Sequence, residues 1–151
     1  DWILELEPGR GLHSDAGLQL TTVRNVKRET IGQTRQWAEV DTSEVFLDLH
    51  GVPDDCPLQF SCVSKKASGS LECYDVVGLT CNAEMLSLDT LLPALTVVDV
   101  LAIYPTGAYL EPMAANFNAL PRPGSVLIDQ GEVKLIKRHE TVEDVFARDI
   151  I

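Results

Sequence analysis

The chain has 151 residues, 45% of them hydrophobic, enough for one domain with a core of its own. Its 23 acidic and 12 basic side chains leave a net charge of -11, which argues against nucleic acid or an anionic membrane surface as partner. No apolar run approaches the roughly 18–20 residues needed to cross a bilayer.

The sequence opens on Asp1 with neither an initiator methionine nor a signal peptide, so upstream sequence is expected to be missing. Trp2–Leu6 alternates apolar and acidic like a strand and stops at Glu7-Pro8-Gly9-Arg10-Gly11. A strand entering a glycine-rich turn and then a helix offers backbone N–H groups to an anion, and Arg10 adds a charge. The same pattern also suits a plain strand-to-helix connection. His13–Gln19 reads as a short helix with Ser14 at its N-cap.

From Leu20 onward strands dominate. Thr21–Arg28, Gln36–Asp41, Leu58–Val63 and Leu71–Gly78 carry β-favouring or alternating residues. Val45–Leu49 suits either a strand or one helical turn, and Pro53–Pro57 a turn. Lys65–Ser70 reads as a solvated loop. Met85–Leu92 is apolar without a clear period and reads as loop or brief helix, closed by Pro93. Val97–Tyr104 is an apolar strand.

Residues 107–123 then form an irregular segment with Tyr109, Asn116, Phe117, Asn118, Arg122 and three prolines. Ordered loops of this composition between rigid strands often carry binding chemistry, and a stiffened connection would look the same. Ser125–Ile128 and Val133–Ile136 resume the strand pattern around Gln130-Gly131. Thr141 and Asp144 have capping-box spacing at the start of a last helix. Many short strands and little helix point to an all-β barrel or sandwich. Cys56, Cys62, Cys73 and Cys81 show no CxxC pair and no metal-finger spacing, so free thiols in a cytoplasmic protein are expected, and no metal site.

Three separated stretches carry a resemblance: Glu7-Pro8-Gly9-Arg10, Gly78-Leu79-Thr80-Cys81, and Gly107-Ala108-Tyr109 followed by Asn116–Pro123. In that order they resemble the pyridoxal-phosphate decarboxylases of the alanine-racemase fold type (fold type III), the diaminopimelate/ornithine decarboxylase family. Lys134–Asp144 is similar to that family's C-terminal ending. The resemblance implies a mainly β chain, the C-terminal β-barrel domain of such an enzyme, preceded by the last strand and helix of a (β/α)8 barrel. Residues 1–20 would be the end of that barrel and 21–151 the β-domain. The Schiff-base lysine, the stacking histidine and the phosphate loop belong to the rest of the barrel, so this chain alone should be inactive.

By the same resemblance, Glu7 pairs with the pyridinium nitrogen of pyridoxal 5'-phosphate, and Gly9, Arg10 and Tyr109 hold its phosphate. Cys81 is delivered into a partner subunit's site, where a thiol can give and regain a proton. Asp41 and Asn82 fall at substrate-binding positions. Asn82 stands where relatives have an acid, which leaves a basic diamino substrate in doubt, although Glu84 could substitute by a shift of the loop. An amino-acid substrate, the N-terminal barrel domain and a homodimer are the implied partners. A catalytically inactive homologue acting by dimerisation, or an unrelated β-barrel binding module gripping a ligand around Tyr109–Arg122, are the competing readings. Apolar surface left by an absent barrel should favour self-association.

Overall fold

Apolar and β-branched residues spaced two apart set most of the strands, and pairing decides the rest. The computed structural model describes residues 2–29, 32, 35–47, 49, 52, 57–66, 69–82 and 84–150. At its centre β1 (Gln19–Arg28) pairs antiparallel with β2 (Gln36–Val40) on one side. On the other side it pairs with a strand at Val100–Tyr104, β6 in chain order. That strand in turn pairs antiparallel with β3 (Gln59–Cys62). β2 runs parallel to β4 (Leu71–Val77), and β4 antiparallel to β5 (Met85–Pro93). The order is β3-β6-β1-β2-β4-β5, and β3 and β5 approach each other, so the six strands make a nearly closed barrel. Such closure removes most of the exposed strand edge.

The core fills this barrel. Val23, Val40, Leu47, Tyr74, Val76, Leu92, Leu101 and Ile103 are buried, each contributing about 1.5–3 kcal/mol for an aliphatic side chain removed from water. Tyr74 carries its hydroxyl inward by giving it partners: it donates to Glu72 Oε2 at 2.7 Å and accepts from the Leu95 amide at 3.0 Å. Burial pushes that phenol above its ordinary pKa.

A two-stranded hairpin, β7 (Ser125–Asp129) with β8 (Glu132–Lys137), stands apart from the barrel. After it comes a one-turn helix at Val142–Val145, capped reciprocally by Thr141 and Asp144 as their spacing predicts.

Three expectations change. Trp2–Leu6 forms no strand and is exposed, because no neighbouring strand supplies its hydrogen bonds. The helix expected at His13–Gln19 begins earlier, as α1 (Arg10–His13), and continues as a 3-10 turn through Ala16. Ser14 is the N-cap of neither: it is the C-cap residue of α1, and its carbonyl accepts from the Gly107 amide at 2.8 Å. Met85–Leu92 is strand rather than loop or helix. Asp89, at φ 50°, and shifts of register against β4 break the alternation that would have revealed it. The loop expected from Lys65 is exposed at Lys66, Gly69 and Ser70, and Lys65 at its start pairs with Asp99 at 2.5 Å and donates to Ala94 O and Thr96 Oγ1. Pro53–Cys56 of the expected turn, and with them the Cys56 thiol, lie outside the described residues. Val45–Leu49 contains a 3-10 turn, Glu44–Phe46, opened by Ser43.

Candidate functional site

Residues near the two ends of a 98-residue separation meet beside the barrel. Gly107 lies against the 13–17 segment: its amide donates to Ser14 O, and the Thr106 amide donates to Gly17 O at 3.0 Å. A Cβ on Gly107 would stand 1.8 Å from His13 O, and one on Gly17 would stand 2.4 Å from Gly107 Cα. Only glycine permits both approaches. This docking carries α1 next to Tyr109. Arg10 Nη1 donates to Ala108 O at 2.5 Å, and its guanidinium lies over the Tyr109 ring, 5.3 Å from the centroid. The Tyr109 hydroxyl reaches Gly9, 2.6 Å from where a Cβ would be. A guanidinium, a phenol and a side-chain-free backbone therefore share one place, a donor set suited to the oxygens of a phosphate monoester. Glu7, two residues earlier, is exposed on the unpaired N-terminal segment.

A second group surrounds Cys81. Its loop is tied to the turn after β2: the Leu79 amide donates to Thr42 O at 3.2 Å, and the Asn82 side-chain amide donates to Glu44 Oε1. Asn118 Nδ2, from the segment before β7, donates to the exposed Cys81 Sγ at 3.8 Å. Glu84 is no substitute for the acid absent at Asn82. It is buried, its carboxylate bonded to the Ser43 and Thr80 hydroxyls, and the half-buried Glu44 is the acid that adjoins Asn82.

Asp41 closes β2 with every oxygen engaged. Oδ1 accepts from Thr21 Oγ1 and the Thr22 amide, both at 2.7 Å, and Oδ2 from Arg24 Nε and Nη2. Burial works to raise its pKa, but these bonds outweigh it and hold the carboxyl below its ordinary value. Beside it lies a cavity of about 250 Å³ lined by Gln19, Thr42, Phe46, Pro121 and His139 among others. The loop over this cavity is fastened by Glu140, which accepts from the Arg122 guanidinium and amide and from Asn116 Nδ2. Those bonds lower its carboxyl to about 2.

Gly9, Arg10 and Tyr109 are thus brought together, and Cys81 and Asn82 share a second loop. Asp41 is bonded to Thr21, Thr22 and Arg24 at the end of β2, and Glu7 is exposed two residues before Gly9. Sequence reading passed over Gly17, Glu44 and the Ala108 carbonyl. The first had a visible signal, a glycine inside the helix expected at His13–Gln19; the other two acquire their roles only through contacts distant in sequence.

No family model matches the chain. It is 34% identical over 146 residues to a diaminopimelate decarboxylase of Bacillus subtilis, covering 96% of this chain and 33% of that protein. The crystal structure of diaminopimelate decarboxylase from Methanocaldococcus jannaschii is similar with a TM-score of 0.84 and 31% identity, over 96% of this chain and 32% of that one. A lysine/ornithine decarboxylase from Vibrio vulnificus, complexed with cadaverine, is similar at a TM-score of 0.63 and 25% identity, over 77% of this chain and 30% of that one. The chain spans about a third of the length of the curated relatives it matches.

Proposed function

We propose that this chain, which corresponds to the C-terminal third of the diaminopimelate decarboxylase-like, fold-type III decarboxylases, is the phosphate-holding and substrate-facing β-domain of a pyridoxal-phosphate-dependent amino-acid decarboxylase. The observation that carries this is the meeting of Gly9, Arg10 and Tyr109 in one anion-suited cluster. Pyridoxal phosphate, when bound, supplies the electron sink that lets an amino acid lose its carboxylate.

In this reading Arg10 presents its fork, and Tyr109 its hydroxyl, to the phosphate oxygens, while Gly9 leaves the backbone open to them. The Arg10 bond to Ala108 O holds the guanidinium beside the Tyr109 ring. Glu7 holds a proton at the ring nitrogen once the preceding segment is packed. Cys81 carries the proton returned to the reacting carbon, across the boundary to a second subunit. Asn82 and Glu44 face the far end of the substrate, with Glu44 supplying the negative charge that Asn82 lacks, and Asp41 holds the strand end from which they project. Residues 1–20 complete the barrel domain that precedes them and 21–151 form the β-domain of a cytoplasmic homodimer.

The test is carbon dioxide release from the complete protein, supplied with pyridoxal phosphate and a panel of amino acids. Release is expected, with Arg10→Ala weakening cofactor binding at least tenfold, and the 151-residue chain alone should bind the cofactor weakly. Tight stoichiometric binding by the chain alone would contradict the reading. No release with any amino acid would favour the inactive homologue, which the amide at Asn82 motivates.

A further inference from the structure

Glu84 is 3% exposed, and its bonding partners are neutral groups. Oε1 accepts from Ser43 Oγ at 2.5 Å and from Thr80 Oγ1, and Oε2 from the Thr80 amide at 3.4 Å. Its backbone joins in, since the Gly78 amide donates to Glu84 O at 3.1 Å. A carboxylate removed from water needs such donors, and once satisfied it holds them in fixed geometry. Here the donors come from both sides of one boundary: Ser43 from the turn after β2, Thr80 from the residue before Cys81. Gly78 closes the arrangement, because a Cβ there would fall 1.8 Å from Glu84 Oε2.

We propose that Glu84 is the positioning residue of the Cys81 thiol. Its buried carboxylate clamps the 78–82 loop to the Thr42–Glu44 turn and thereby sets where Sγ stands. The importance of this for chemistry rests on the reading of Cys81 as the proton carrier, whereas the clamp itself does not. Neighbouring bonds act in the same direction: Leu79 to Thr42 O and Asn82 to Glu44 tie the loop on either side of Cys81 to the same turn. The geometry also accounts for a glycine at 78 and a hydroxyl at 80.

Alkylation by iodoacetamide, mapped by mass spectrometry in the full chain, tests this with Cys62 and Cys73 as internal reporters. Glu84→Ala should change the rate at Cys81 at least fivefold while the rates at Cys62 and Cys73 stay within twofold. Gly78→Ala, which displaces the carboxylate without removing it, should do the same. Glu84→Gln keeps an oxygen for both hydroxyls and should return Cys81 to within twofold of the parent. An unchanged Cys81 rate in Glu84→Ala, an equal acceleration of all three thiols, or a Glu84→Gln chain indistinguishable from Glu84→Ala would each overturn the proposal. A Cys81-specific effect combined with full carbon dioxide release from a Cys81→Ser complete protein would leave the clamp standing and remove the proton-carrier reading instead.

Discussion

β6 and β7 are written in nearly the same alphabet, Val-Leu-Ala-Ile-Tyr against Ser-Val-Leu-Ile-Asp, and end in opposite surroundings. Leu101 and Ile103 of β6 are fully buried, whereas Val126 and Ile128 of β7 are 55% and 69% exposed. The difference lies in the neighbours. β6 has β1 on one edge, β3 on the other and the core beneath it; β7 has only β8, and a lone hairpin is marginal in water. An apolar strand therefore states a need for cover without saying what covers it. In the barrel the same chain meets that need. In the hairpin, as in Trp2–Leu6, the described residues leave it unmet and the apolar side chains stay exposed.

The comparison is broken most forcefully by paired truncations. Ile103→Ala should destabilise the chain by about 2–5 kcal/mol, and Ile128→Ala by less than about 0.5 kcal/mol, in chemical denaturation. Equal losses would mean that the hairpin is already covered in solution.

The entry to β6 offers the next largest effect. Burial alone would raise the Asp99 carboxyl, but Lys65, the Thr96 amide and hydroxyl, and Ser64 lower it from 3.8 to about 2. A depressed folded-state pKa stabilises above the unfolded value and is lost as pH falls. Asp99→Asn should therefore cost on the order of 2 kcal/mol at neutral pH, with the gap from the parent closing as pH drops from 4 toward 2.

Light scattering sharpens the exposed side. Association through the apolar faces should appear at high concentration and weaken in Ile128→Lys; a clean monomer would show that these faces tolerate water. The smallest effect belongs to the tie between the segments flanking the hairpin. Arg122→Ala should raise the Glu140 carboxyl only part of the way back in an NMR titration, because Asn116 and the residue-122 amide still donate to it, with little change in global stability because the Arg122 side chain is half exposed.

Much of this architecture was legible because it is local. Alternation in Gln36–Val40 and Gln59–Cys62, the Gln130-Gly131 turn and the Thr141–Asp144 cap are each decided by residues within a few positions of one another. β5 was not legible, since a bulge at Asp89 removes the period on which a strand is recognised. Trp2–Leu6 has a strand's pattern and, among the described residues, no strand to pair with. At the candidate site, the family resemblance singled out Arg10 and Tyr109, and the Gly17–Gly107 approach that joins them is a contact across 90 positions that no window of sequence displays.

The amino-acid sequence by itself determined the all-β class, most strand positions and the capped last helix, because propensity, alternation and side-chain chemistry are written in short stretches. Tertiary structure alone decided that the barrel nearly closes, that the hairpin stands outside it, that Asp41 anchors a strand end, and that Glu84 is buried against Ser43 and Thr80. Each of these depends on which distant group supplies a hydrogen bond or excludes water, and that is settled only when the whole chain has packed.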